Sequence, residues 1–323
     1  MNTPLVSVIV PVYGVEKYIE RCARSLFEQT LESIEYIFVD DCTPDNSIEV
    51  LKKVLEDYPH RKEHTIIYKM SKNSGQAAVR KCGVLQASGE YIIHCDSDDW
   101  VDKNMYKEMY NKAKSGNYDM VICDFYKSDG NIHNIRSSKT EIDKNIILSN
   151  ILTQKIACSL CNKLVHSKCY NKSFIYPTHN NGEDLAMVVQ LVVNSTSFAY
   201  IEKGYYYYYI NTNSITKQVS ERGLLRNTHQ ACFNAKFVAE LLVDKYGQLF
   251  ANDIIHLKYL KKNLLLPLVL KNKYLKEWRE FFSEINLKIL FLPTLSLKEK
   301  FRFYIIYFDL YRVLKKIIKV LNR

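Results

Sequence analysis

A chain of 323 residues with 47% apolar content can fill a sizeable core, as one large domain or up to two ordinary ones, and is not a disordered polymer. Its net charge of +10 lies wholly at one end: residues 251–323 hold 16 Lys and Arg against 6 Asp and Glu, and the 29 basic and 29 acidic residues before them cancel. Nine cysteines, an odd number scattered without paired spacing, argue against a disulfide framework and for a reducing, cytoplasmic compartment.

The N-terminal stretch MNTPLVSVIVPVYG has no basic region before its apolar run and no small-residue cleavage site, so it reads as a first strand and not as a signal peptide. The runs VSVIVPVY (6–13), IEYIFVDD (34–41), HTIIYKM (64–70), EYIIHCD (90–96) and DMVICDFY (119–126) are β-branched or aromatic and bounded by turn residues or charge. Between them EKYIERCARSLFEQT, SIEVLKKVLEDY, GQAAVRKCGVLQA and KNMYKEMYNKAK repeat apolar residues near helical spacing. Strands alternating with helices predict a Rossmann-like α/β half, its mostly parallel sheet covered by flanking helices on both faces.

From about residue 130 the rhythm breaks. The polar SDGNIHNIRSSKTE leads to a helix near 142–154, the irregular CSLCNKLVHSKCYNKSFIYPTHNNGED, a helix at LAMVVQLVVNS and the aromatic run FAYIEKGYYYYYI. Strand geometry would alternate the rings of that run between two faces, most of them packing and one outward ring free to stack on a sugar. After 221 the pattern is helical to the end, interrupted at Pro267 and Pro293. Two domains are therefore expected, 1–220 and a basic helical region at 221–323.

The last stretch, FRFYIIYFDLYRVLKKIIKVLNR, places Phe303, Ile306, Tyr307, Leu310, Leu314, Ile317 and Leu321 on one helical arc and Arg312, Lys315, Lys316, Lys319 and Arg323 on the opposite one. Such a helix suits the interface of an anionic membrane, on its inner face and without spanning it. The same pattern also suits a helix packed on its own domain. Nucleic acid is disfavoured, because no aromatic and basic binding motif accompanies the charge.

The densest chemical signal is HCDSDDW at 94–100, where an apolar run ends in crowded carboxylates. Like charges so placed need water or a cation. In an open α/β sheet ligands gather outside the carboxyl ends of the strands, so Asp40 and Asp41 share an edge with Asp96 and Asp98. An Asp-x-Asp at a strand end suits a hard divalent ion that keeps bonds to phosphate oxygens, although a solvated acidic turn has the same sequence.

Taken in order, VSVIVPVYGVEKYI, VDDCTPDNS, NSGQAAVRKCGVLQASGEYI, DSDD and GED resemble the inverting glycosyltransferases of family 2, whose fold is called GT-A, over residues 5 to 215. The resemblance implies a base-binding cup at Pro11, Val12, Tyr13 and Glu16, and a carboxylate at Asp41, with Asp40 beside it, for the edge of a uracil-type ring. It implies a donor loop at Asn73, Gly75 and Gln76, and Arg80 facing the nucleotide diphosphate. Asp96, Ser97 and Asp98 become the donor-binding motif, with Asp96 and Asp98 as ligands for Mn²⁺ or Mg²⁺. Asp184 matches the catalytic base, supported by Glu183. An inverting transfer needs just such equipment: one carboxylate to take the acceptor proton, and positive charge for the leaving diphosphate. At Asp184 a helix-terminal acid favoured by the macrodipole is the plainer alternative.

Two positions depart from the family pattern. Cys42-Thr43 stands where Gly-Ser is usual, a change that asks only for turn geometry, and Tyr209 stands where Arg or His is common, so that Lys217 would have to substitute or the donor contact would weaken. The single CxxC at 158–161, with His166, Cys169 and His179 near it, is poor evidence for zinc, and the absence of GxGxxG argues against a dinucleotide enzyme. The sequence thus predicts a metal-dependent glycosyltransferase that moves a sugar from a nucleotide-diphosphate donor, UDP-linked, to a hydroxyl of a glycan or lipid-linked acceptor in cell-surface polysaccharide synthesis. A sugar-phosphate nucleotidyltransferase, or a non-catalytic nucleotide-sugar-binding assembly subunit, is the alternative.

Overall fold

A computed structural model describes residues 3–210, 220–271 and 273–312. The chain divides into two compact units, Met1–Gln218 and Val219–Arg323.

In the first unit β1 (Val6–Val12), α1 (Ile19–Phe27), β2 (Ile34–Asp40), α2 (Ser47–Glu56), β3 (Thr65–Lys69), α3 (Gln76–Gln86) and β4 (Tyr91–His94) alternate as expected. The four strands pair in parallel in the order β3-β2-β1-β4. The cause is visible in the burial. β2 is buried at every position and β1 at six of seven, so both faces of these strands need cover. Val6, Val8, Val10, Tyr36 and Phe38 point to α1 and α2, which return Cys22, Leu26, Phe27, Leu51 and Val54. Ile37 and Val39, one residue out of phase, meet Val79 of α3 on the other face.

The second half adds β5 (Trp100–Val101), α4 (Met105–Ser115), β6 (Met120–Ser128), β7 (His133–Arg136), α5 (Lys144–Leu152), β8 (Lys163–His166), α6 (Glu183–Asn194) and β9 (Phe198–Tyr209). The sheet continues β4-β8-β6-β9-β5, with β7 on the edge of β6. Here β8 runs antiparallel to both β4 and β6, and β5 antiparallel to β9, while β6 and β9 pair in parallel, so the whole sheet is mixed. The antiparallel strands β5, β7 and β8 span only two to four residues, too few to carry a period.

β9 also departs from simple alternation. Its register against β6 shifts between Cys123 and Phe125, and the extra residues Glu202 and Lys203 lie exposed. As a result Tyr205 and Tyr206, neighbours in sequence, are both buried. Tyr207 stacks between Trp100, at 5.2 Å, and Tyr126, at 5.0 Å.

The second unit is helical: α7 (Glu221–Tyr246), α8 (Ala251–Lys262), α9 (Leu266–Val269), α10 (Leu275–Glu280) and α11 (Leu297–Tyr307). Its core gathers Leu265, Val269, Ile289, Leu292 and Phe303 around Trp278. The expected continuous tail helix is corrected here. α11 starts at a capping box of Ser296 and Glu299 and stops at Tyr307, and Asp309 takes a left-handed φ of 62° that a helix cannot continue through. Phe303 and Ile306, placed by the sequence on a lipid-facing arc, are buried in the unit's own core, whereas Leu310 is exposed. Leu314, Ile317 and Leu321, with Lys315, Lys316, Lys319 and Arg323, lie outside the described residues, as does Lys217. Among the described residues no helix is long and apolar enough to cross a membrane.

Candidate functional site

The carboxyl ends of β1, β2 and β4 form one edge. Val12 is in register with Asp40, and the Asp41 amide donates to the Val12 carbonyl at 3.0 Å. Pro11, Val12 and Tyr13 line that edge, with Tyr13 41% exposed. Glu16 accepts from the Asn46 side chain at 3.1 Å, which joins the start of α1 to that of α2. Asp40 and Asp41 are buried, and neither carboxylate is idle: Asp40 accepts from the Thr43 amide at 2.7 Å, and Asp41 from the amides of Ser74 and Gly75 at 2.7 and 2.8 Å. Asp41 therefore fixes the loop of Asn73 and Gln76.

That loop must be thin. Gly75 has a φ of 81°, and a Cβ there would lie 2.1 Å from the Asn180 side chain. Asn180 occupies the space and accepts from the Ala77 amide at 3.1 Å, so the segment before Glu183 and Asp184 is tied to the first turn of α3. The Gln76 side chain reaches Asp96 at 3.4 Å.

Arg80 is the centre of the constellation. Its side chain has no exposed surface; it contacts Asp96 at 2.9 Å, Asp184 at 3.5 Å and Glu183 at 3.8 Å. It forms a bridge joining the Asp-x-Asp loop to the start of α6. Two of its guanidinium nitrogens, Nε and Nη1, are buried without a hydrogen-bond partner among the described residues. Burial opposes the charge of Arg80, but Asp96 and Asp184 outweigh it and the group stays protonated.

The carboxylates feel the crowding. Burial and the neighbouring Asp96 push Asp98 up to about 6. Burial raises Glu183 well above the usual carboxylate range, with Asp184 adding to the effect, and it also raises Asp184, against the pull of Arg80. Asp184 keeps a side chain 30% exposed, at the first turn of α6 where the helix dipole favours an anion. Gly182 precedes it with a φ of 83°, the left-handed cap that lets the chain turn into α6. Ser97 is buried between the two aspartates.

Several contacts of the site carried no sequence signal. Asp99 is buried and pushed well above its ordinary value by burial and by Asp98; it accepts from the Tyr206 hydroxyl and from the Tyr209 amide, the latter at 2.7 Å. Through Asp99 the whole aromatic strand β9 is fastened to the Asp-x-Asp loop. Arg21 of α1 donates to the Asp98 carbonyl at 2.9 Å, and its guanidinium lies 3.7 Å from the Trp100 ring and 4.7 Å from that of Tyr209. A cation therefore does stand beside Tyr209, supplied by α1. Of the CxxC, Cys161 faces Asp96 at 3.6 Å, while Cys169, outside that motif, sits by Ser195. Lys163, fully buried, donates to the carbonyls of Ala157 and Ser159 at 2.9 and 2.8 Å and so shapes the wall beside Asp184, and burial lowers it to about 8.

A Rossmann-like sheet with acidic groups from two strand ends and a helix start at one edge defines a nucleotide-type binding fold. The sequence profile of Glycosyl transferase family 2 matches residues 7–178, and the chain belongs to that family. Among curated proteins it is similar to the uncharacterized glycosyltransferase EpsJ of Bacillus subtilis, 42% identical over 124 residues that cover 38% of this chain and 35% of that protein. It is also similar to the minor teichoic acid biosynthesis protein GgaB of the same organism, 26% identical over 211 residues, 62% of this chain and 22% of that one. The chain thus matches about a third or less of the length of these relatives. Its fold is that of S. aureus TarS 1-349 in complex with UDP-GlcNAc, with a TM-score of 0.58 at 18% identity over 80% of this chain and 81% of that one. The mannosyltransferase PcManGT from Pyrobaculum calidifontis, in complex with GDP-Man and Mn²⁺, gives a TM-score of 0.56 at 12% identity over 95% and 86%.

Proposed function

We propose that this glycosyltransferase moves one sugar from a UDP-linked donor to a hydroxyl of a glycan or lipid-linked acceptor, with inversion, in cell-surface polysaccharide synthesis, at the cytoplasmic face of the membrane. Residues 1–220 would bind donor and acceptor, and 221–323 would serve attachment. The observation that carries the reading is the Arg80 bridge, which holds Asp184 and Asp96 on a single guanidinium at 3.5 and 2.9 Å. The group that takes a proton and the group that faces the donor phosphates are thereby fixed in one small site. The UDP-GlcNAc named for TarS and the teichoic acid role named for GgaB support the donor and the pathway class.

Each residue then has a task. Pro11, Val12, Tyr13 and Glu16 hold the base, with the carboxylate pair Asp40 and Asp41 at its edge. Asn73 and Gln76 border the donor on the loop fixed by Asp41. Asp184, partly exposed and raised by burial, accepts the proton of the acceptor hydroxyl as that oxygen attacks the anomeric carbon. Glu183, buried and 3.8 Å from the Arg80 guanidinium, supports Asp184 from the adjacent position. Asp96 and Asp98 are fit to hold Mn²⁺ or Mg²⁺: both are hard oxygen donors, and burial together with the neighbouring Asp96 raises Asp98, so that a cation would relieve the crowding. When bound, such an ion neutralises charge on the departing diphosphate.

Asp184→Asn tests the reading. It keeps the volume and removes the base, so UDP affinity should hold within about two-fold while kcat falls by roughly 10²-fold or more. Near-normal turnover in that variant would remove Asp184 from the mechanism.

A further inference from the structure

The second unit leaves a connected apolar surface uncovered. Leu297 and Phe301 are 84% and 70% exposed, Leu287 and Phe291 72% and 80%, and Phe308 58%. On α11 the residues Leu297, Phe301 and Tyr304 recur at helical spacing, and Phe308 follows at the C-cap, while Phe303 and Ile306 turn to the core. The helix therefore has two apolar faces, and the unit's own packing uses one.

The second face is continued by the turn at 288–291. Leu287, Leu290 and Phe291 join Tyr304 and Phe308 around an open groove of about 460 Å³. The Tyr304 hydroxyl donates to the Asn286 and Leu287 carbonyls at 2.8 and 3.3 Å, and its ring stacks on Phe308 at 6.1 Å. Helix and turn are thus clipped into one preformed surface.

Charge indicates what covers it. Lys288, Lys298 and Arg302 are exposed in the same stretch, and Glu299, its one acid, is engaged in the capping box with Ser296. The unit as a whole carries 20 Lys and Arg against 9 Asp and Glu. A second copy of the chain would bring positive charge against positive charge. A lipid surface with anionic headgroups accepts both features at once, the apolar side chains entering the headgroup boundary and the cations meeting phosphate above it.

We propose that Leu287, Leu290, Phe291, Leu297, Phe301 and Phe308, rimmed by Lys288, Lys298 and Arg302, form the surface by which this chain docks on an anionic membrane. The proposal deepens the membrane-peripheral placement of the proposed function and does not depend on its chemistry. It also moves the lipid-facing surface away from the arc of Phe303 and Ile306.

Co-sedimentation of the full chain with phosphatidylcholine vesicles, with and without phosphatidylglycerol, tests it. Binding is expected only to the anionic vesicles and should weaken with added salt. The triple variant Phe291→Ser, Phe301→Ser, Phe308→Ser and the triple variant Lys288→Glu, Lys298→Glu, Arg302→Glu should each lose binding roughly ten-fold or more. Both should melt within a few degrees of the parent, because these side chains are exposed. Undiminished binding by either variant, no binding by the parent, or a parent dimer that the serine variant converts to monomer without any vesicle binding would overturn the proposal. UDP release with a soluble acceptor is read in parallel and should not change in either variant; its absence in the parent would count against the proposed function and leave the vesicle result intact.

Discussion

Asp98 is the residue at which crowding of the site is most directly testable. With its carboxyl pushed up to about 6 by burial and by Asp96, the folded chain holds a proton there that the unfolded chain, at an ordinary carboxylate value, releases earlier. Stability contributed by this group is accordingly lost as pH rises from the usual carboxylate range through about 6, and a divalent cation that replaces the proton restores it. The thermal shift produced by Mn²⁺ should therefore be larger at pH 7.5 than at pH 5 and should vanish in Asp98→Asn; an equal shift at both pH values would mean that the ion binds elsewhere. Cys42 offers a second prediction at this scale. Its turn geometry is more demanding than the sequence suggests, because its φ of 56° is the left-handed region that glycine enters freely. Cys42→Gly should stabilise the chain by about 1 kcal/mol, less what is lost with the bond from its thiol to the Met70 carbonyl. A lower melting temperature would show that this bond outweighs the strain.

The elements set these residues in place through a few ties. Gly75 is where two elements touch, since Asn180 fills the space of its missing side chain and caps the start of α3. Gly75→Ala should cost about 2 kcal/mol, from the positive φ and the overlap together, and should weaken UDP binding by shifting the donor loop; unaltered UDP affinity would separate the loop from the donor. The parallel half of the sheet was legible because β1 and β2 are long enough for their apolar runs to show, and because α1 and α2 repeat their buried residues at helical spacing. β8 was not, since four residues inside an irregular stretch carry no period. The tail misled for another reason: an arc drawn at 100° per residue assumes an unbroken helix, and Asp309 breaks it. At the site the carboxylates were legible from their crowding, whereas the ties of Arg21 to Asp98, Asn180 to Ala77 and Asp99 to Tyr209 join residues 77 to 110 positions apart, which no local pattern records.

At the scale of the whole molecule, two units divide the chemistry from the charge. The first carries every candidate donor and catalytic residue, and the second carries the basic excess and the exposed apolar surface. The account stands or falls on transfer from a nucleotide sugar by a base at Asp184 and an ion at Asp96 and Asp98. Proton NMR of the chain with a UDP-sugar, Mn²⁺ and an oligosaccharide acceptor reads it most directly, because the coupling of the new anomeric proton reports the stereochemistry while UDP accumulates. The account predicts product of inverted configuration, formed with Mn²⁺ and lost in EDTA. Product of retained configuration, or turnover undiminished in EDTA, would contradict it.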